Sequence, residues 1–163
     1  MSDPAPGAIT ETVAAEPTDS AAAAVPRLLV IDADDRTRES IAGLLRIRHR
    51  FDVVGSAGHT PAAIALLREH RPDVVIVDPR LPELHDGIAL IRRIRVILPT
   101  ARILALGWSP DLEVDTHAAG ADGFLRKTFK PAELTAAIER CIDGVTADAP
   151  ARPAGEPAAG LIL

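Results

Sequence analysis

A three-layer α/β sandwich, one parallel sheet covered by helices on both faces, is the fold this sequence predicts. Three observations lead there. Five short runs rich in Val, Ile and Leu alternate with five helical patterns between residues 26 and 144. The runs are apolar throughout instead of alternating with polar residues, as in strands buried on both faces. Hydrophobic residues make up 47% of the chain but aromatics only 2%, so the core must be aliphatic.

The elements follow in order. Leu28–Ile31 is the first strand, and the helix Arg36–Arg48 after it places Ile41, Leu44 and Leu45 at helical spacing. Phe51–Val54 is the second strand. Its helix, Pro61–His70, opens with Thr60-Pro61, a capping residue before a first-turn proline. Val74–Val77 is the third, followed by Gly87–Arg95 with Ile88, Ile91 and Ile94 on one face. Ile103–Leu106 leads to Pro110–Ala119, which is short and weakly patterned. Phe124–Leu125 leads to Pro131–Ile142, with Leu134, Ile138 and Ile142 in register. Repeated strand–helix units imply parallel connections. Five of them fit a flavodoxin-like (βα)5 sandwich, a five-stranded parallel sheet in the order 2-1-3-4-5.

Outside this core, residues 1–25 are Ala- and Pro-rich and residues 145–163 carry few bulky apolar side chains. Neither segment can offset its ordering entropy, so both are expected to be disordered tails around one domain, 26–144. A net charge of −5 argues against direct nucleic-acid binding, which needs clustered cations. A single cysteine, Cys141, excludes an internal disulfide and a cysteine zinc site. With an acidic N-terminus and no apolar run long enough to span a bilayer, a soluble, cytoplasmic protein is expected.

In sheets of this order, ligands bind outside the carboxyl ends of the strands. Asp32 ends the first strand, Asp78 the third and Gly107 the fourth, and Lys127 follows the fifth. Two carboxylates and an ammonium therefore converge on one edge, with Asp34 close by. Paired carboxylates repel unless a cation joins them. Mg²⁺ suits such a site, since it takes carboxylate oxygens, keeps water and recruits phosphate. An ionised aspartate can attack phosphorus to form an aspartyl phosphate, while metal and lysine neutralise the phosphoryl oxygens. Asp78, on the central strand, is the nucleophile of this reading. Asp32 and Asp34 are the other metal carboxylates, and Lys127 binds the phosphoryl group. Singly, a strand-end Asp is more often a cap and a Lys a solvated residue; four coincidences at one edge outweigh that.

The segments "LLVIDAD", "PDVVIVDPRLP" and "AAGADGFLRKTFKPAEL" resemble the receiver domain of two-component response regulators, over about 26–144. The resemblance implies that Asp78 accepts a phosphoryl group from a histidine kinase or phosphotransfer protein. It implies that Asp32 assists a Mg²⁺ site, that Lys127 pairs with the phosphoryl group, and that Phe124 reorients on activation. It also suggests a homodimer through the last helix and strand, and no enzymatic activity beyond self-catalysed phosphoryl acceptance and loss.

The sequence departs from the family pattern at several points. Ala33 stands where a second acid supplies a direct metal ligand, so Mg²⁺ affinity is expected to fall by roughly 1–3 kcal/mol. Gly107 replaces a hydroxyl residue that binds the phosphoryl group, and Trp108 follows where small residues are usual. Trp108 is expected either to fill the space left by the hydroxyl or to lie over the pocket. Gly107, Trp108 and Phe124 thus form an altered switch region. The segment before Lys127 is about two residues short, consistent with a clipped fourth helix.

The expected function is an atypical single-domain response regulator that is phosphorylated at Asp78 and acts by protein contact. The alternative is a phosphorylation-independent pseudo-receiver. A haloacid-dehalogenase-like phosphatase, with Asp32 as nucleophile and Asp34 as acid/base, is a remote third, because Arg36 stands where that family prefers Thr or Val.

Overall fold

The computed structural model describes residues 24–144. The expected tails therefore lie outside the described residues, apart from Ala24 and Val25. Strands β1 (Arg27–Ile31), β2 (Asp52–Ala57), β3 (Val74–Val77), β4 (Arg102–Gly107) and β5 (Gly123–Arg126) alternate with five helices. These are α1 (Asp35–Ile47), α2 (Thr60–His70), α3 (Leu84–Ile97), α4 (Leu112–Ala119) and α5 (Pro131–Asp143). Every neighbouring pair of strands is parallel and the order is β2-β1-β3-β4-β5, as predicted.

Strand geometry sends successive side chains to opposite faces, which divides the core in two. Leu28 and Val30 of β1 pack with Ile41 and Leu45 of α1 and Leu134 and Ile138 of α5. Leu29 and Ile31 join Leu67 of α2 and Ile91 and Ile94 of α3 on the other face. Each fully buried aliphatic side chain contributes roughly 1.5–3 kcal/mol. The three inner strands are β1, β3 and β4, and the first two carry Asp32 and Asp78 at their exits.

Several element boundaries differ from expectation for local reasons. β2 continues through Gly55 and Ser56, weak strand formers, because both pair with β1 after a register shift between Leu28 and Leu29. The cap of α2 is His59 instead of Thr60: its Nδ1 accepts from the Ala62 amide at 3.3 Å. α3 begins before Gly87, which lies buried in its first turn. A Cβ at Gly87 would sit 1.9 Å from the Pro79 carbonyl oxygen, so only glycine allows α3 to approach the turn after Asp78. α4 is eight residues long and stops at Gly120, whose φ of 110° favours glycine.

Candidate functional site

Backbone pairing beyond the strand ends sets the positions of the predicted site residues. The Asp32 amide donates to the Ala57 carbonyl (3.0 Å), the Asp78 amide to Ile31 (2.9 Å) and the Lys127 amide to Gly107 (2.9 Å). Each side chain therefore emerges at the carboxyl edge, one step past its strand. Asp32 and Asp78 are buried, 2% and 8% exposed. Lys127 reaches both: its Nζ donates to Asp32 Oδ2 at 2.6 Å and to Asp78 Oδ2. The remaining oxygens are also engaged. Asp32 Oδ1 accepts from the Asp34 amide (2.9 Å) and Asp78 Oδ1 from the Arg80 amide (2.7 Å).

Asp34 takes another role. It is the N-cap of α1, and its Oδ1 accepts from the Thr37 amide at 2.7 Å. Hydrogen bonds from the Thr37 amide and hydroxyl hold its carboxyl below the ordinary value, helped by the charges of Lys127 and Arg36. The physical reason is that the first turn of a helix leaves amides without partners, and an aspartate there satisfies one. Among the described residues, no three His, Cys, Asp or Glu side chains gather in a metal-holding group. Asp32 and Asp78 alone supply two carboxylates, which suits a Mg²⁺ ion held largely by water and phosphate. Such an ion would share those carboxylates with Lys127.

In the switch region, the space left by the missing side chain at Gly107 is filled, but not by Trp108. A Cβ on Gly107 would lie 2.9 Å from Cε2 and Cζ of Phe124 and 3.0 Å from Leu112 Cδ1. The Phe124 ring therefore lies inward over Gly107, packed against the core. Trp108 is 57% exposed, and its ring stands 5.8 Å from the Lys127 ammonium.

Two arginines contribute where the sequence offered no motif. The Arg38 guanidinium donates to the Asp32 carbonyl at 2.7 Å and pairs with Asp35, tying the turn after β1 to α1. At the opposite edge of the sheet, Arg95 donates to Asp122 Oδ2 (2.6 Å) and to the carbonyls of Gly120 (2.7 Å) and Ala101 (2.7 Å). That clamp joins α3 to the entry of β5.

The sequence model described as the response regulator receiver domain matches residues 28–139, more than half of the chain. The chain belongs to the receiver-domain family. It is 32% identical to the chemotaxis protein CheY of Bacillus subtilis over 120 residues, 72% of this chain and 98% of that protein. It is 34% identical to the DNA-binding transcriptional activator DevR/DosR of Mycobacterium tuberculosis over 115 residues, 69% of this chain and 52% of that one. Among solved structures, a LuxR-family response regulator from Aurantimonas superposes with a TM-score of 0.68 at 34% identity, covering 74% of this chain and 86% of that one. The chain spans between half and two thirds of the length of the first curated relatives it matches, 52% and 62%. Receiver domains are signalling modules of two-component systems, typically phosphorylated with Mg²⁺ at the site and served by histidine kinases or phosphotransfer proteins. Among the described residues, no helix is long and apolar enough to cross a membrane.

Proposed function

We propose that this receiver domain is an atypical response regulator module that accepts a phosphoryl group on Asp78 and acts by protein contact. One observation carries the reading: Asp32 and Asp78, from separate strands, share the buried ammonium of Lys127. An ammonium held beside the nucleophilic carboxylate is where a phosphoryl oxygen would need a positive partner. Asp32 and Asp78 would hold Mg²⁺, which when bound supplies further positive charge to the phosphoryl oxygens. The donor is a histidine kinase or phosphotransfer protein, and the face of α5 and β5 is the surface for pairing with a second copy. With the family established and Asp34 occupied as a cap, the phosphatase reading loses its acid/base residue.

A second reading, a pseudo-receiver that binds partners without phosphate, is favoured by a specific observation. All four oxygens of Asp32 and Asp78 already have donors, so the pocket is satisfied without a metal or a phosphoryl group.

Amide NMR of the full chain separates the two. Mg²⁺ followed by beryllofluoride, a phosphoryl mimic, should give saturable shifts around Asp78 and Lys127 that vanish in Asp78→Ala. Spectra unmoved by millimolar additions, on the order of a physiological excess over a weak carboxylate site, would leave the pseudo-receiver standing.

A further inference from the structure

We infer that Trp108 is a gate over the Asp78–Lys127 pair, setting how fast a phosphoryl group enters and leaves; the inference rests on the acceptor reading above. The Lys127 side chain is only 3% exposed, although it leaves the sheet at an open edge. Two carboxylates take two of its three ammonium protons. The Trp108 ring stands 5.8 Å from the same nitrogen, within the range at which an aromatic face attracts a cation. Being 57% exposed, the indole has the buried ammonium on one side and water on the other. It is a cover, not part of the core.

The cover is also placed to move. Phe124 fills the space over Gly107, and the exposed indole belongs to neither of the two core clusters. The loop from Trp108 to Asp111 joins β4 to the short α4 and carries the ring on exposed chain. A phosphoryl group on Asp78 must come within hydrogen-bonding reach of Lys127, and so enters beside the indole.

Both directions of the chemistry pass this point. In acceptance from acetyl phosphate, an Asp78 carboxylate oxygen bonds to phosphorus as the bond from phosphorus to the acetyl oxygen breaks, and acetate leaves with the electron pair. In loss, a water oxygen bonds to phosphorus, the Asp78 carboxylate leaves with its electron pair, and the water's proton passes to solvent. In each case the incoming group approaches phosphorus in line with the leaving oxygen. A gate therefore slows both steps, while a residue that merely supports the fold would not couple them.

The test uses the full chain, Mg²⁺ and acetyl phosphate, comparing the parent with Trp108→Ala, Trp108→Phe and Asp78→Ala. Trp108→Ala should speed acquisition and loss together, several-fold each, with an unchanged unfolding midpoint. Trp108→Phe should fall between that variant and the parent. The chain has one tryptophan, so in the parent its emission should change at the rate of labelling. Labelling of Trp108→Ala alone, with none in the parent, would show the same gate held shut. Unchanged rates in Trp108→Ala, or acceleration of only one step, overturn the gate while leaving the acceptor reading intact. Absence of Asp78-dependent labelling in every variant overturns the acceptor reading and the gate with it.

Discussion

Gly107→Ala should lower stability chiefly through a collision with the Phe124 ring, beside a lesser one with Leu112. Carbon atoms in contact prefer about 3.5–4.0 Å. The new Cβ would lie at 2.9 Å from two ring carbons and 3.0 Å from Leu112 Cδ1. The ring must swing outward or the Leu112 packing must yield, and overpacking of this kind typically costs about 1–3 kcal/mol. Gly107 does not have a positive φ, so alanine brings no backbone strain. It should instead recover roughly 0.4–1 kcal/mol by restricting the unfolded chain. The net loss is about 1 kcal/mol. Urea unfolding followed by circular dichroism measures it, and a double-mutant cycle with Phe124→Ala assigns it. Once the ring is gone, the same Gly107→Ala change should become neutral or slightly stabilising, giving a coupling of about 1–2 kcal/mol. A coupling near zero would refute the argument that the Phe124 ring occupies the position 107 side-chain space.

Three further outcomes are expected. Lys127→Met strands two buried carboxylates without their cation and should lower stability by about 3–5 kcal/mol in denaturant unfolding, with Asp32→Asn restoring part of the loss. Asp34→Ala should destabilise α1 at neutral pH; because the folded carboxyl titrates below its ordinary value of 3.8, the contribution is present above that value and lost as pH falls through the folded one. Thermal midpoints of parent and variant should therefore converge in strong acid. Gly87→Ala places a Cβ against backbone that cannot rotate away, at 1.9 Å from the Pro79 carbonyl, and should cost about 3 kcal/mol, read from the urea midpoint.

The alternation of apolar runs and helical patterns was enough for the layer architecture, and the flavodoxin-like template that five such units fit supplied the strand order. β1 and β3 are buried on both faces, and that burial is written directly into "LLVI" and "VVIV". The convergence of Asp32, Asp78 and Lys127 was legible for the same reason: strand ends in a parallel sheet share an edge, whatever lies between them in sequence. Boundaries were less legible where pairing overrode propensity, as at Gly55 and Ser56. The local competition for Asp34 was hidden too, since a carboxylate three residues past a strand end fits a metal site or a helix cap equally well on paper.

What the sequence determined by itself is the periodic burial of aliphatic side chains, hence a parallel sheet between two helical layers, and the chemical type of each group at its carboxyl edge. What only the tertiary structure decided is which group meets which across that edge: Phe124 over Gly107, Trp108 beside Lys127, Asp34 turned to its helix, Arg38 on the Asp32 carbonyl. Periodicity is a property of one segment and survives in a string of letters. Contacts between segments depend on side-chain volumes and free hydrogen-bond donors meeting at fixed distances, and those distances exist only once the sheet has formed.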